Sequence, residues 1–377
     1  MDISDGEDKL NRLIKIWIGI MKIVILLPQV NWNVSGGSKV ILEYANQMVQ
    51  HGHSVSVYYL YGHSFQNFHL PEFLRKLAVR VLVKCIGCGH WFQLDPSIKE
   101  NLVDDAMNMG DVDIVIATAI ETAIELNSAK LSGCKKVYFI QGFENWSYSD
   151  ETVYESYNCG MTNIVVAKWL KEIVDVHSDR PSYLVSNCIN TEIFKNIGLD
   201  RKRHSIVFHY RSAAYKGAQY AIEVVRRLEQ EYKDLSVEVI SIEEAPDNLP
   251  ESCTFHHAVS AEKIAEINNK TEVFMCTSIE EGFGLPGLEA MACGCAVASS
   301  SYRGVLEYAV DGENALLSPV RNVDAMVTNI IKLFEDENLR RKIVENGIKT
   351  GMERSLEKSA GEFEKILLYS TTARGTV

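Results

Sequence analysis

Apolar blocks of two lengths alternate along this chain, and block length together with periodicity separates strands from helices. Residues 21–28, MKIVILLP, form a short β-branched run closed by a proline, as expected of a strand buried on both faces of a parallel sheet. Gly36 and Gly37 open a stretch over 38–51 with helical spacing, and 55–59 returns to a strand pattern. Residues 113–117, 136–140 and 163–167 read as further strands, 169–176 as a helix, 183–185 as the last strand of this series and 187–198 as a linker. The pattern restarts at 205–210 and runs through a helix over 218–232, a strand over 237–240 and a shorter unit to a strand over 272–277. A glycine-rich loop, a helical run over 288–293 and a strand over 295–298 follow, before helices near the C-terminus. This alternation predicts an α/β architecture of parallel sheets wrapped by helices, in two Rossmann-like domains.

Two apolar stretches need separate readings. Residues 70–84, LPEFLRKLAVRVLVK, carry Leu70, Phe73, Leu74, Leu77, Val81 and Leu82 at helical spacing. Arg75, Lys76, Arg80 and Lys84 fill other positions, opposed only by Glu72. A basic amphipathic helix of this kind packs its apolar side on its own sheet or lies in a membrane interface, so peripheral membrane contact through 70–84 is one of two expectations. Residues 13–28 are nearly all apolar, but Lys15 and Lys22 interrupt them and leave too short a run to span a bilayer. Met21 is a candidate natural start, with 1–20 an N-terminal extension that lacks a small-residue cleavage site.

Composition narrows the class. A net charge of −12, with no basic tract interleaved with aromatics, argues against a nucleic-acid partner. Nine cysteines, an odd number scattered through apolar segments without a secretory signal, read as reduced thiols of a cytoplasmic protein. Cys85, Cys88 and His90 lack a second closely spaced pair and are expected to be structural. Asp111 and Asp113 mimic a metal-binding D-x-D, but Asp113 directly precedes a strand and is expected to cap it. No metal site is expected.

The chemistry concentrates in two loops of the second series. EEGFGLPGLEAMACGCAVASS, from Glu280 to Ser300, places Gly282, Gly284 and Gly287 after a strand, with Pro286 suited to a helix start and Gly294 to a helix stop. Loops at the carboxyl ends of parallel strands bind ligands, and free amides at a helix start favour an anion. Glu281 and Glu289 can then accept paired hydrogen bonds from vicinal hydroxyls of a ribose or hexose. The second loop, FHYRSAAYKG over 208–217, sets Arg211 and Lys216 between a strand and a helix, as a bidentate and a point-charge grip for phosphate.

Taken together, "RSAAYK", "EGFGLPGLE", the opening "MKIVILLPQ…SGGSKVILEYANQMVQHGHSV", "VSNCINTEIF" and "RGVLEYAVDGENALLSPV" resemble the retaining glycosyltransferases of family 4. The resemblance covers residue 21 to about residue 350. It implies the GT-B fold, with an acceptor domain over 21–195 and a nucleotide-sugar domain over 196–355 whose sheets face a central donor cleft. It also implies a C-terminal helix over 356–377 crossing back to the first domain. Arg211 and Lys216 would bind the donor diphosphate and stabilise the leaving group. Glu281 would hold the sugar beside the amides of Phe283, Gly284 and Leu285, and Glu289 the ribose. Gly36 and Gly37 would allow close approach of the first-domain loop, and Glu307 would lie on the donor side. Where many members carry a histidine, "VYFIQGFENW" offers Gln141, which hydrogen-bonds a sugar but cannot act as a base near neutral pH.

The implied activity is metal-independent transfer of a hexose or deoxyhexose to a glycan or lipid-linked acceptor, in cell-surface polysaccharide assembly. No cofactor is implied beyond the nucleotide-diphosphate sugar. A nucleotide-sugar epimerase on the same scaffold is the alternative. A nicotinamide dehydrogenase is disfavoured, because Ser35-Gly36-Gly37-Ser38 stands where G-x-G-x-x-G belongs.

Overall fold

The computed structural model describes residues 19–30, 36–60, 71–86, 91–103, 109, 112–131, 133–145 and 148–372, without the side chains of 72, 75, 76, 82, 84, 86 and 369–372. The chain forms two compact units. One takes the residues up to Val166, Leu170–Val185 and the chain from Glu357 on; the other takes Ala167–Trp169 and Ser186–Leu356.

In the first unit, the described strands are β1 (Lys22–Leu27), β2 (Ser54–Leu60), β3 (Lys99–Val103), β4 (Ile114–Ala117), β5 (Lys135–Ile140), β6 (Thr162–Val165) and β7 (Tyr183–Leu184). They lie in the order β3-β2-β1-β4-β5-β6-β7, every neighbouring pair parallel. The apolar run of β1 is buried from Ile23 to Leu27, because helices cover both faces of such a sheet. Asp113 ties β4 to β1: its carboxylate accepts from the Lys22 amide at 2.7 Å. β3, KENLV, is half-exposed and mixes polar with apolar residues, which is why its pattern did not announce a strand.

The helix Leu356–Thr372 packs on this unit from Glu357 onward. Phe363 is buried, its ring 5.0 Å from Tyr44 and 5.2 Å from Phe139, and Tyr44 and Ser359 share a hydroxyl hydrogen bond of 2.7 Å. Glu364 meets both His51 and His53, the latter at 2.8 Å. The helix Glu72–Ile86 buries Val79, whereas Phe73 (69% exposed), Leu77 (58%) and Val81 (53%) face outward. Of the apolar stripe read from the sequence, Phe73, Leu74, Leu77 and Val81 are thus on the open side of this helix, while Leu70 and the Leu82 side chain lie outside the described residues.

In the second unit the described strands are β8 (Lys202–His209), β9 (Ser236–Ser241), β10 (Cys253–His257), β11 (Thr271–Cys276), β12 (Ala296–Ser300) and β13 (Leu316–Ser318). Their order, β10-β9-β8-β11-β12-β13, is again parallel throughout. Ile206, Phe208, Val237, Val239, Val273 and Met275, with Ala296, Ala298 and Leu316, belong to the sheet's share of the core, and Val224, Val225 and Leu228 come from the helix Ala218–Glu231 laid on it. In each unit the strand order reverses at one place, between β1 and β4 and between β8 and β11. Open parallel sheets bind ligands at the carboxyl ends of the strands at such a reversal.

Among the described residues, no helix is long and apolar enough to cross a membrane, and no group of three or more His, Cys, Asp or Glu is placed to hold a metal ion. Cys88, His90 and Asp111 lie outside the described residues, as do residues 1–18 of the N-terminal extension.

Candidate active site

At the reversal in the second sheet, β8 and β11 each lead into a loop and then a helix. After β8, residues 210–217 turn through a short 3-10 helix, Ala214–Lys216, into the helix Ala218–Glu231. After β11, residues 277–284 lead into the helix Leu285–Ala292, with Pro286 in its first turn. The two loops are stitched together. Ile279 N donates to Tyr215 O at 2.8 Å, and Thr277 Oγ1 donates to Gly217 O at 2.9 Å. Gly217 has φ of +64°, and a Cβ there would stand 2.2 Å from Thr277 O, so the close approach requires glycine. Gly304 supports the second loop similarly, since a Cβ on it would meet Glu281 O at 2.5 Å and Phe283 N at 2.7 Å.

This stitching brings Arg211, Lys216 and Glu281 together. Lys216 Nζ lies 3.3 Å from Glu281 Oε1. Ser278 Oγ donates to the same oxygen at 2.5 Å, and Ser300 Oγ in turn donates to Ser278 O. Arg211 Nη1 donates to Tyr210 O at 2.9 Å. Burial lowers the Arg211 pKa from its ordinary value, while the charges of Glu243 and Glu281 hold it up. Glu243 is itself fixed at the loop, accepting from Ser212 N at 2.8 Å. Burial, reinforced by Glu281, raises the Cys276 pKa, so the sulfur nearest this cluster is a thiol and a poor nucleophile.

Helix starts add to the positive field. The helices Ala218–Glu231 and Leu285–Ala292 begin after Gly217 and Gly284, and neither has a side-chain cap. Three other helices of this unit are capped by Ser260, Asn322 and Asp336. Uncapped amides beside two cations have the chemistry that favours an anion.

The other expected site residues are placed as follows. Glu289 is 6% exposed, in the interior of the helix Leu285–Ala292. The Phe283 side chain is buried against Tyr308, ring centroids 5.4 Å apart, and Leu285 is half-buried. Gly284 has φ of +89° and is backed by the buried Tyr302, while its carbonyl accepts from Tyr308 OH at 2.7 Å. Glu307 is engaged elsewhere: Oε1 accepts from the amides of Lys168 at 2.7 Å and Trp169 at 3.2 Å. Sequence reasoning did not single out Ser278, Gly217, Gly304 or the tyrosine pair. Gly217 stood inside the quoted loop, but only the approach of Thr277 O shows why it must be glycine.

In the first unit, Gln141 directly follows β5 and its Nε2 donates to Gly37 O at 3.1 Å. A Cβ on Gly37 would stand 3.2 Å from that nitrogen, so the glycine makes room for Gln141, whereas nothing stands within 4 Å of Gly36. Gln141 Oε1 is buried and has no hydrogen-bond partner among the described residues, an acceptor left open at the sheet's carboxyl edge. Glu144, three residues on, accepts from Ile120 N at 2.9 Å and so caps the helix Ile120–Ser128, whose N-cap Ala119 has no side-chain oxygen to offer. Burial pushes the Glu144 carboxyl up to about 7. The folded state therefore prefers its proton, and that stabilisation is full below pH 4.5 and lost as pH rises through about 7. Glu144→Gln, which keeps an acceptor for Ile120, is expected to stabilise the protein by roughly 1–3 kcal/mol at pH 8 and far less at pH 4.5. Melting temperatures of both proteins across that range check this.

Residues 189–350, nearly all of the second unit, match the family described as glycosyl transferases group 1. An uncharacterized glycosyltransferase of Methanocaldococcus jannaschii is 24% identical over 208 residues, covering 54% of this chain and 58% of that protein. The N,N'-diacetylbacillosaminyl-diphospho-undecaprenol alpha-1,3-N-acetylgalactosaminyltransferase of Campylobacter jejuni is 27% identical over 178 residues, 46% of each chain. This chain thus spans about half the length of the curated relatives it matches. Among solved structures, Anabaena HepE in complex with UDP and glucose has a TM-score of 0.71 at 14% identity, covering 93% of this chain and 100% of its own. Sucrose-phosphate synthase from Thermosynechococcus elongatus has a TM-score of 0.73 at 14% identity, covering 94% and 100%. Two Rossmann-like units with parallel sheets, as in these structures, make the fold GT-B.

Proposed function

We propose that this protein is a retaining glycosyltransferase of family 4, moving a hexose or deoxyhexose from a nucleotide-diphosphate sugar to a glycan or lipid-linked glycan in cell-surface polysaccharide assembly. The observation that carries the reading is the meeting of Arg211, Lys216 and two uncapped helix starts at the strand reversal of the second sheet. That field suits a diphosphate and the charge that grows on it as the sugar departs. Glu281 would orient the sugar hydroxyls, Glu289 the ribose, and Gln141 Oε1 would accept from a sugar hydroxyl. The amides of Phe283, Gly284 and Leu285 would line the donor pocket.

In the step proposed, the acceptor hydroxyl approaches the anomeric carbon on the face from which the diphosphate leaves. The bond from that carbon to the phosphate oxygen breaks, the new glycosidic bond forms, and the hydroxyl proton passes to the departing phosphate oxygen. In this reading Arg211 and Lys216 would offset the diphosphate charge without a divalent metal, so turnover is expected to survive chelation; a strict need for added magnesium or manganese would refute this. The first experiment is a thermal-shift screen of UDP-, GDP-, ADP- and dTDP-sugars, because a ligand that binds the native state raises its melting temperature. A stabilising donor that then loses its sugar only when acceptor is present supports transfer; conversion of the donor alone indicates an epimerase.

The work is proposed to take place in the cytoplasm, at the membrane surface, through the helix Glu72–Ile86. Phe73, Leu74, Leu77 and Val81 are exposed on it, and the sequence places four basic residues among them in a chain of net charge −12. Co-sedimentation with anionic vesicles at low salt is expected, and loss of it when Arg75, Lys76, Arg80 and Lys84 are changed to Ser. Equal binding by that variant, or none by the parent, makes the exposed stripe irrelevant to lipid.

A further inference from the structure

Glu281 Oε1 is ion-paired with Lys216 Nζ at 3.3 Å and accepts a hydrogen bond from Ser278, while Oε2 has no hydrogen bond or ion pair among the described residues. Lys216 is the cation read above as a diphosphate ligand, and it is already answered by a carboxylate inside its own site. Both side chains are substantially shielded, 29% and 15% exposed, so the pair is screened less than a surface ion pair yet remains within reach of a ligand. An incoming diphosphate presents the same chemistry as that carboxylate, anionic oxygens at hydrogen-bond distance, and competes for the same ammonium.

We propose that Glu281 is the internal counterion of Lys216, displaced from it by the arriving donor diphosphate, and that Ser278 is the positioning residue that keeps Glu281 aimed once Lys216 has let go. This rests on the glycosyltransferase reading above and extends it to the order of events at the site.

The geometry gives each residue a separate task. Ser278 is rigid: Ser300 holds its carbonyl, and Cys276 Sγ lies 3.5 Å from its hydroxyl. The backbone of the next residue, Ile279, is pinned to Tyr215 O at 2.8 Å. When a diphosphate takes Lys216, Glu281 loses one partner and retains the Ser278 hydroxyl. The carboxylate is then held in one orientation with an oxygen free to accept from a sugar hydroxyl. Exchange of Lys216 from carboxylate to phosphate thus couples arrival of the donor to release of the group that orients the sugar. Without Ser278 the released carboxylate would rotate, and transfer would slow without loss of nucleotide affinity.

The test is calorimetric titration of UDP, GDP, ADP and dTDP into four proteins: parent, Glu281→Gln, Lys216→Met and the double variant. Glu281→Gln removes the competing charge and keeps the side chain's shape, so the bare diphosphate that binds the parent is expected to bind it roughly three- to ten-fold more tightly, the scale of one shielded ion pair. That gain is expected to vanish in the Lys216→Met background, where no lysine is left to release. Ser278→Ala is expected to lower kcat roughly ten-fold or more with the affinity for the bare nucleotide unchanged, and Ser278→Thr, which restores the hydroxyl, to recover most of it.

Unchanged or weaker affinity in Glu281→Gln, or a gain that persists without Lys216, overturns the counterion role. A fall in affinity and kcat together in Ser278→Ala, with a lowered melting temperature, overturns the positioning role. Failure of all four nucleotides to bind the parent overturns the donor-site reading beneath both, and is distinguishable because it appears before any substitution is made.

Discussion

Lys216→Ala is expected to lower turnover by roughly 10²- to 10³-fold, the usual effect of deleting one donor aimed at charge that develops in a transition state. The melting temperature is expected to stay within about 2 °C of the parent, as for most substitutions outside the core. The reason is in its surroundings. Lys216 Nζ meets Glu281 and lies over the Tyr215 ring, 5.5 Å from its centroid, and neither partner belongs to the sheet core. Its loss removes positive charge from a site where two helix starts and Arg211 still attract an anion, so the bare nucleotide is expected to bind more weakly rather than not at all. Arg211→Ala should act in the same direction with a larger structural share, because burial of this guanidinium and its bond to Tyr210 O make it part of the loop's framework. Steady-state kinetics with the donor found by thermal shift, paired with melting curves, separates these effects. Near-normal turnover in Lys216→Ala would remove the lysine from the chemistry.

Gly217→Ala is expected to disable the site by geometry alone. The added Cβ would fall 2.2 Å from Thr277 O and 3.1 Å from its carbonyl carbon, and both are backbone atoms that no rotamer change can move. The left-handed φ of +64° adds roughly 1–2 kcal/mol for any residue with a Cβ. The cationic loop and the glycine loop must then separate, which breaks the Thr277–Gly217 and Ile279–Tyr215 hydrogen bonds and draws Lys216 away from Glu281. A stability loss of roughly 2–4 kcal/mol and a fall in turnover beyond 100-fold are expected. Gly312→Ala is the control. Its φ of +71° carries the same conformational cost, but nothing lies within 4 Å of its Cβ, so it should lose only about 1 kcal/mol and keep its activity. Equal behaviour of the two variants would show that the close approach of the loops does not matter.

Much of this architecture was readable from local pattern, for a physical reason. A parallel strand buried on both faces shows itself as an apolar run, so β1, β8 and β11 were found within a few residues of their observed ends. Arg211, Lys216 and Glu281 were legible because charge and glycine at the end of such a run have few structural explanations. What escaped depends on pairings between distant segments. The half-exposed β3 carries no alternation, and the bonds of His51 and His53 to Glu364 join residues more than three hundred positions apart. Glu144 caps a helix that starts 24 residues before it. Periodicity revealed the apolar stripe on the helix Glu72–Ile86, but it cannot say whether a stripe is covered, and its described members Phe73, Leu74, Leu77 and Val81 are on the open side. Glu307 matched a motif while its carboxylate serves the amides of Lys168 and Trp169.

We propose that the strand reversal of the second sheet holds the diphosphate of a nucleotide-sugar donor between Arg211 and Lys216. Calorimetric titration of bare nucleotide diphosphates into the parent and into the Arg211→Ala, Lys216→Ala double variant tests it most directly. One nucleotide is expected to bind the parent with measurable heat and to bind the variant at least roughly a hundred-fold more weakly, the scale of removing two charge-assisted hydrogen bonds at once. Equal affinity in the two proteins would place the diphosphate elsewhere and contradict the account.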